Sequence, residues 1–231
     1  RDEIRKIISI EDINKNIEEI KLTFSNFVNF KKNAKILNNY EWLSSQNYID
    51  FLREVGTKVT INKMLTYDSV KSRLDREQPL TFLEFNYMLL QAYDFFHLYK
   101  NYNCVLQMGG SDQWGNIVNG IELIRKIKNG SSFALTSPLI TNNDGTKMGK
   151  TVNGAVWLNE KKLSNFEFFQ FWRNVDDKNV VKFLKLFTKI KLSEINKISK
   201  LQGKEINEAK KLLAYEVTKI CRGEKSAIEA K

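Results

Sequence analysis

The chain has 231 residues, of which 42% are hydrophobic and 12% aromatic, enough for one substantial domain or one domain with a smaller helical part. Its formal net charge of +10 favours polyanionic partners such as nucleic acids and nucleotides, although a solvated lysine-rich surface explains the same balance. Two distant cysteines argue against a disulfide framework or a zinc site. No run approaches the roughly 18 apolar residues of a membrane span, so we expect a soluble protein of the cytoplasm, or of an organellar matrix.

Apolar periodicity predicts a mainly helical first half. Residues 11–28 carry apolar side chains every three to four positions, which indicates an amphipathic helix with one buried stripe. Residues 34–37 alternate like a short strand that ends at Asn38-Asn39. Residues 48–99 are again helical in pattern, with a break at Pro79, because proline disfavours helix in the residue before it.

A strand, a glycine turn and a helix follow. Val105 to Met108 is a short apolar run that predicts a buried strand of a parallel sheet, and Phe133 to Leu135 is a second strand candidate. Strand, glycine turn and helix together form the repeating unit of a nucleotide-binding α/β sheet. A polar loop is predicted over 142–154, and Ser164, with Glu167 three residues later, predicts the first of several closing helices.

The first candidate site is a polar stripe on an apolar helix. Tyr87, Gln91 and Asp94 are spaced to share one helix face, and their neighbours are apolar nearly all round. An unpaired buried polar group costs about 1 to 3 kcal/mol, so such groups need partners. Those partners are either other side chains or a polar ligand, and the spacing alone leaves open a polar network, a ligand site or simple exposure.

The second candidate site is the segment from Gln107 to Asn116, which includes Gly109-Gly110-Ser111-Asp112-Gln113. Paired glycines after a strand allow a ligand to approach the backbone, and a carboxylate at the start of the next helix can hold ribose hydroxyls. A tight turn without any ligand is the alternative.

The third candidate site is the loop at 144–151, in which Lys147 and Lys150 accompany two glycines and the hydroxyl of Thr151. Ammonium groups and a hydroxyl suit the oxygens of a triphosphate. Lysine pairs in loops are, however, most often merely solvated.

In this order, the three segments resemble the bacterial and organellar tyrosyl-tRNA synthetases, which are class I aminoacyl-tRNA synthetases. The resemblance lies in Tyr-Met-Leu-Leu-Gln-Ala-Tyr-Asp-Phe at 87–95, Gln-Met-Gly-Gly-Ser-Asp-Gln-Trp-Gly-Asn at 107–116 and Asp-Gly-Thr-Lys-Met-Gly-Lys-Thr at 144–151. It continues in Phe-Phe-Gln-Phe-Trp at 168–172 and Glu-Val-Thr-Lys at 216–219. It implies part of a Rossmann-like parallel sheet with a dimer-forming helical insertion over 1–163, and an all-helical connecting domain over 164–231.

The resemblance also implies roles for single residues. Asp94 would bind the tyrosine hydroxyl, and Tyr87 and Gln91 the amino group. The residues expected to bind tyrosine are Tyr87, Gln91, Asp94, Gln107 and Gln113. Those expected to bind ATP are Gly110 and Asp112 at the ribose, Leu139 and Ile140 at adenine, and Lys147 and Lys150. Lys147, Lys150 and Thr151 would be catalytic, neutralising the pyrophosphate leaving group with Mg²⁺.

The reaction implied is activation of tyrosine with ATP, followed by transfer to tRNA(Tyr), in a homodimer. ATP and its Mg²⁺ are substrates in this scheme, and we expect neither a permanently bound cofactor nor a protein metal site. No covalent enzyme nucleophile is required.

The chain is expected to depart from the family pattern at both ends, lacking the His-x-Gly-His segment with the first strand and helix, and the small C-terminal RNA-binding domain. The His-x-Gly-His segment, which contacts ATP phosphates in the family, needs two histidines, whereas His97 is the sole histidine and is expected to be a packing or surface residue. Both ends look cut, so we expect activity of the parent protein and leave that of the isolated chain open. The alternatives are a non-catalytic RNA-binding relative and the related tryptophan enzyme, which Asp94 and the Gly-Gly-Ser-Asp-Gln form disfavour.

Overall fold

The computed structural model describes residues 8–141, 148, 150–151, 154–201 and 203–231. These residues form two compact units: a central unit from Leu37 to Met148, and a flanking unit built from the segments on either side. The helices of the central unit are α2 (Tyr40–Leu43), α3 (Tyr48–Glu54), α4 (Ile61–Leu65), α5 (Asp68–Leu74), α6 (Phe82–Tyr102) and α7 (Trp114–Lys128). Its strands are β1 (Leu106–Gly110) and β2 (Phe133–Ser137).

The flanking unit is almost wholly helical. Its helices are α1 (Ile10–Phe24), α8 (Asn165–Arg173), α9 (Asp177–Phe187), α10 (Leu192–Ile198), α11 (Ile206–Arg222) and α12 (Glu224–Ala230). Its strands are β3 (Lys150–Thr151) and β4 (Gly154–Ala155), which pair antiparallel. Helices after a small parallel sheet agree with the predicted fold class.

The central helix α6 begins where the sequence predicts. Pro79 precedes it, and the Thr81 hydroxyl accepts a hydrogen bond from the Glu84 amide while the Glu84 carboxylate accepts one from the Thr81 amide. This reciprocal cap satisfies two backbone donors that would otherwise be unpaired. The helix runs for 21 residues and ends at Asn103, whose φ of 54° is left-handed. One uninterrupted helix therefore carries the whole first candidate site.

Helix α7 packs closely against α6 because one residue at the contact has no side chain. A Cβ on Gly120 would lie 2.8 Å from Cδ1 of Phe95, closer than real Cβ contacts. Phe95 is buried in a cluster with Leu123 and Ile124 of α7 and with Trp42 of α2. The close contact brings the side chains along both helices within hydrogen-bonding reach of one another.

The two predicted strands pair in parallel, with Met108 opposite Leu135. The prediction that the first strand is buried is wrong within this structure, since Met108 is 66% exposed. Leu135 of the second strand is 52% exposed. Successive side chains of a strand point to opposite faces. One face of the pair therefore turns Gln107 and Gly109 towards α7, and the described residues leave the apolar face uncovered.

Two predictions for the start of the chain need correction. Residues 34–37 form no strand, because no strand among the described residues pairs with them, and Leu37 packs instead on the α6–α7 cluster. Helix α1 is present, capped by the Ser9 hydroxyl on the Asp12 amide, but none of its residues is buried. Its apolar stripe is half-buried at Ile13 and Ile17 and exposed at Ile20.

The flanking unit is organised around α8 and α11. Ser164 and Glu167 form the predicted cap of α8, and Trp172 of that helix packs edge-to-face on Phe183 of α9. The predicted apolar face of α11 is buried at Ala209, Leu213 and Val217. These contacts between helices form a hydrophobic core within the flanking unit.

Candidate active site

The carboxylate of Asp94 is held by two donors from outside its own helix. The indole Nε1 of Trp42 donates to Oδ1 at 2.8 Å, and the Nδ2 of Asn39 donates to Oδ2 at 3.0 Å. Burial raises the pKa of Asp94, and the two hydrogen bonds oppose that rise because they favour the charged form. A carboxylate has about four lone-pair sites, so two donors leave room for a further one from a ligand.

His97 supports this arrangement from one turn further along α6. Its ring stacks on the indole of Trp42, with centroids 4.3 Å apart and planes inclined by 11°. Desolvation lowers the pKa of His97, although the neighbouring charge of Asp94 acts in the opposite direction. The predicted packing role of His97 is confirmed, and the residue it packs on is the one that holds Asp94.

The other two residues of the stripe differ in their surroundings. Tyr87 is 59% exposed, which at this position agrees with simple exposure, one of the alternatives that the spacing left open. Gln91 is half-buried, and its Oε1 accepts a hydrogen bond from the Nδ2 of Asn116 at 3.1 Å. The same Nδ2 donates to the Oε1 of Gln113 at 3.2 Å. Asn116 thus links two glutamines that the sequence patterns place in separate candidate sites.

The strand-to-helix turn brings three residues of the predicted nucleotide site together. A Cβ on Gly110 would lie 2.6 Å from Oδ1 of Asp112 and 3.0 Å from Cδ2 of Leu139, so only glycine fits without a shift. The Nε2 of Gln113 lies 3.5 Å from Oδ2 of Asp112, at the limit of a hydrogen bond. The predicted ribose and tyrosine residues are therefore neighbours on one short turn.

Among the predicted site residues that the structure describes, Gln107 has a buried side-chain atom without a partner. Its Oε1 is buried and has no hydrogen-bond partner among the described residues. Leaving an amide acceptor unpaired costs about 1 to 3 kcal/mol, and such groups in native proteins call for a partner. A ligand donor is compatible with this position.

The predicted phosphate loop lies largely outside the described residues. Lys147 is not described, and for Lys150 and Thr151 only the backbone is described, as strand β3. Within the central unit, the amide of Met148 donates to the carbonyl of Ile140 at 2.9 Å. The catalytic roles expected of the three loop residues stay predictions.

Two searches of the described part of the chain bear on ligands and membranes. No group of three or more His, Cys, Asp or Glu side chains in it lies close enough together to hold a metal ion. None of its helices combines the length and the apolar character that crossing a bilayer requires.

Three residues of the site escaped sequence reasoning. Asn39 appeared only as a turn signal, Trp42 lay between the predicted elements, and Asn116 appeared as the last residue of a recognised segment without a role of its own. Asn39 and Trp42 reach Asp94 across more than 50 positions of sequence, which no local pattern reports. The role of Asn116 is easier to predict from the sequence, because Asn116 lies three residues after Gln113 on the same helix face.

We expect Asp94→Ala to destabilise the chain by about 1 to 3 kcal/mol, because the indole of Trp42 and the amide of Asn39 lose their acceptor. Asp94→Asn should cost less than about 1 kcal/mol. Its Oδ1 can still accept from Trp42, and Asn39 can turn its own amide to present an oxygen. Urea denaturation of both variants measures the difference, and equal losses would contradict the account.

We expect the stability of the chain to depend on pH through its sole histidine. Because the folded state lowers the pKa of His97 from its ordinary value of 6.5, the stabilisation is complete above that value. It is lost as the pH falls from 6.5 through the folded-state pKa. His97→Phe keeps a ring against Trp42 but cannot titrate. Urea midpoints at about pH 5.5 and about pH 7.5 should differ less in the variant than in the parent chain; an unchanged difference would assign the effect to other groups.

Comparison with known proteins agrees with the geometry. The family model described as tRNA synthetases class I (W and Y) matches residues 1–231. The tyrosine-tRNA ligase of Rickettsia africae (strain ESF-5) is 56% identical over 233 residues, which cover 100% of this chain and 57% of that protein. The tyrosine-tRNA ligase of Xanthobacter autotrophicus (strain ATCC BAA-1158 / Py2) is 54% identical over 100% of this chain and 56% of that protein. The chain thus spans a little over half the length of these curated relatives.

Solved structures give the same result for the fold. The crystal structure of a C-terminally truncated mitochondrial tyrosyl-tRNA synthetase from Aspergillus nidulans superposes with a TM-score of 0.78 at 28% identity, covering 98% of this chain and 68% of that one. A tryptophanyl-tRNA synthetase from Campylobacter jejuni has a TM-score of 0.52 at 15% identity, covering 95% of this chain and 72% of that one, which supports the fold alone. The chain belongs to the class I tRNA synthetases of the tryptophan and tyrosine family.

Proposed function

We propose that the protein containing this chain is a tyrosine-tRNA ligase, which joins tyrosine to ATP as tyrosyl-adenylate and then transfers the amino acid to tRNA(Tyr). The observation that carries the proposal is the preorganised carboxylate of Asp94. Two donors fix its orientation, its remaining lone pairs can accept a phenolic hydroxyl, and it shares a helix face with Gln91. The relatives that match the whole chain are tyrosine-tRNA ligases.

The same carboxylate explains why tyrosine is the favoured amino acid. Phenylalanine lacks the hydroxyl, so its binding would leave the half-buried Asp94 without a donor on the ligand side. A site built to pair with a hydroxyl rejects the analogue that lacks it by as much as about 10⁵. Tryptophan offers an indole N–H in a different place and on a larger ring. Asp94 therefore favours tyrosine within a family that serves both amino acids.

The chemistry we propose rests on positioning and charge. Gln113 would face the tyrosine carboxylate as it attacks the α-phosphate, and Asp112 with Gly110 would hold the ribose beside it. Leu139 and Ile140 would flank adenine, and Gln107 and Tyr87 would complete the tyrosine site. The loop residues Lys147, Lys150 and Thr151 would neutralise the departing pyrophosphate. Electrostatic stabilisation of this kind needs no covalent intermediate on the enzyme.

Magnesium enters this proposal with ATP. Among the described side chains no cluster could hold the ion by itself, and Mg²⁺ is usually bound through substrate phosphates and a few waters. It would supply charge neutralisation at the phosphates. The net charge of +10 suits tRNA as the second substrate, and such an enzyme would work in the cytoplasm or an organellar matrix.

We further propose that the protein is a homodimer through the region from Tyr48 to Phe96. Phe82 and Leu83, adjacent at the start of α6, are each 70% exposed, and Ile49 of α3 is 60% exposed. Single exposed apolar residues are common, whereas two adjacent large ones, as at Phe82 and Leu83, are candidates for an interaction surface. Leu83→Lys should therefore yield a monomer in light scattering, while Leu192→Lys, at an equally apolar but unrelated position that is 64% exposed, should not. A parent chain that is monomeric at all concentrations would overturn the proposal.

The proposed reaction predicts tyrosine-dependent exchange between pyrophosphate and ATP. We would measure exchange on this chain and on a version extended at its N-terminus, with tyrosine, phenylalanine and tryptophan. Asp94→Asn should lower kcat/KM for tyrosine by about tenfold to a hundredfold, the range for a hydrogen bond to a charged group. Asp75→Asn, an exposed aspartate elsewhere, should leave it unchanged. Exchange in neither version, with RNA binding intact, would favour a non-catalytic relative.

A further inference from the structure

Asn116 uses a single amide nitrogen to bind two glutamines. Its Nδ2 carries two hydrogens, and it lies 3.1 Å from the Oε1 of Gln91 and 3.2 Å from the Oε1 of Gln113. One contact joins α6 to α7, and the other closes a single turn at the start of α7. Both hydrogens of one side-chain amide are thereby used on acceptors within the candidate site.

The consequence concerns which end of each glutamine amide meets a ligand. A glutamine amide has a donor end and an acceptor end that occupy nearly the same volume, so packing alone does not choose between them. The Nδ2 of Asn116, as oriented in the structure, distinguishes the two ends of each glutamine amide, because a donor attracts the oxygen and repels the NH₂ group. For Gln113 this leaves the Nε2 group directed away from Asn116, where it also lies 3.5 Å from Oδ2 of Asp112.

The position of Asn116 is itself fixed by packing. It stands in the first turn of α7, next to Gly115, where a Cβ would lie 2.9 Å from the ring of Tyr67. The hydroxyl of Tyr67 donates to the buried Oδ1 of Asn119, one turn further along the same helix, at 2.8 Å. Tyr67 therefore contacts α7 on either side of Asn116 in sequence, at Gly115 and at Asn119.

We propose that Asn116 is a positioning residue that fixes the amide of Gln113 with its donor end towards the substrate carboxylate. The proposal rests on the proposed function, because it takes tyrosine as the ligand. Gln113 is the N-cap residue of α7 and follows the carboxyl end of β1, and helix N-termini favour negatively charged groups. A donor oriented at that point suits the carboxylate of an amino acid, and then the oxygens of the acyl phosphate that forms from it.

The test compares tyrosine with tyramine, which is tyrosine without its carboxylate. Binding of each to the extended protein is measured by calorimetry for the parent and for Asn116→Ala, Asn116→Asp and Asn101→Ala. Asn101 is the matched control, an exposed asparagine of α6 whose amide donates to the backbone carbonyl of His97.

We expect Asn116→Ala to weaken tyrosine binding about tenfold, as loss of two neutral hydrogen bonds implies, and tyramine binding less than about threefold. Asn116→Asp should weaken tyrosine binding further, because its carboxylate only accepts hydrogen bonds. Gln113 would then turn its amide and present an oxygen to the substrate carboxylate. The control should bind both ligands like the parent.

The outcomes separate the inference from the function it rests on. Equal losses for tyrosine and tyramine, or no loss, would overturn the role of Asn116 while the parent's tyrosine binding still supported the proposed function. If the parent protein bound neither ligand, the proposed function would fail. In that case the hydrogen bond from Asn116 to Gln113 is tested in the ligand-free chain. If the bond is present, the ¹⁵N resonance of the Gln113 side-chain amide shifts in Asn116→Ala and does not shift in Asn101→Ala.

Discussion

The close contact between α6 and α7 at Gly120 is the constraint on which the candidate site depends. Without a side chain at that position, the backbone of α7 can approach the ring of Phe95. Any larger residue would push the helices apart, and overpacking of this kind typically costs about 1 to 3 kcal/mol. The separation that glycine allows is also what lets the amide of Asn116 reach Gln91 across the helix pair. Hydrophobic packing thus sets the distances of the polar network.

Hydrogen bonds to Asp94 in turn compensate for the burial of its carboxylate. Placing Asp94 among the apolar residues of α6 raises its pKa, because desolvation penalises the charged form. Donors from Asn39 and Trp42 offset part of that penalty and at the same time restrict the direction in which a further donor can approach. Stacking of His97 on Trp42 limits the movement of the indole. The same donors thus stabilise the carboxylate in the fold and fix its orientation.

The two sides of the candidate site differ in how much local sequence contributes to them. At the turn after β1, Gly110, Asp112 and Gln113 are neighbours in sequence as well as in space, so a short segment carries most of the geometry. Around Asp94, the groups that hold the carboxylate come from the start of α2 and the residue before it, far away in the chain. Short motifs therefore identify the turn after β1 more readily than the surroundings of Asp94.

The sequence by itself determined the elements and the chemistry-bearing segments of this protein. Helix α6 after Pro79, the cap at Ser164, the buried face of α11 and the strand-to-helix turn at Gly110 all follow from local rules of capping, periodicity and glycine geometry. The resemblance of three segments to one enzyme family identified the family.

Tertiary structure alone decided which side chains meet. Residues 34–37 alternate like a strand, yet a strand exists only where another strand pairs with it, and no described strand does. The exposure of Met108 depends on what covers the sheet, which a short apolar run in the sequence does not reveal. Asn39, Trp42 and Asn116 acquired their roles through contacts between helices. Such contacts are set by the packing of whole surfaces, and the energy that selects them is spread over residues too far apart in sequence for any local pattern to report.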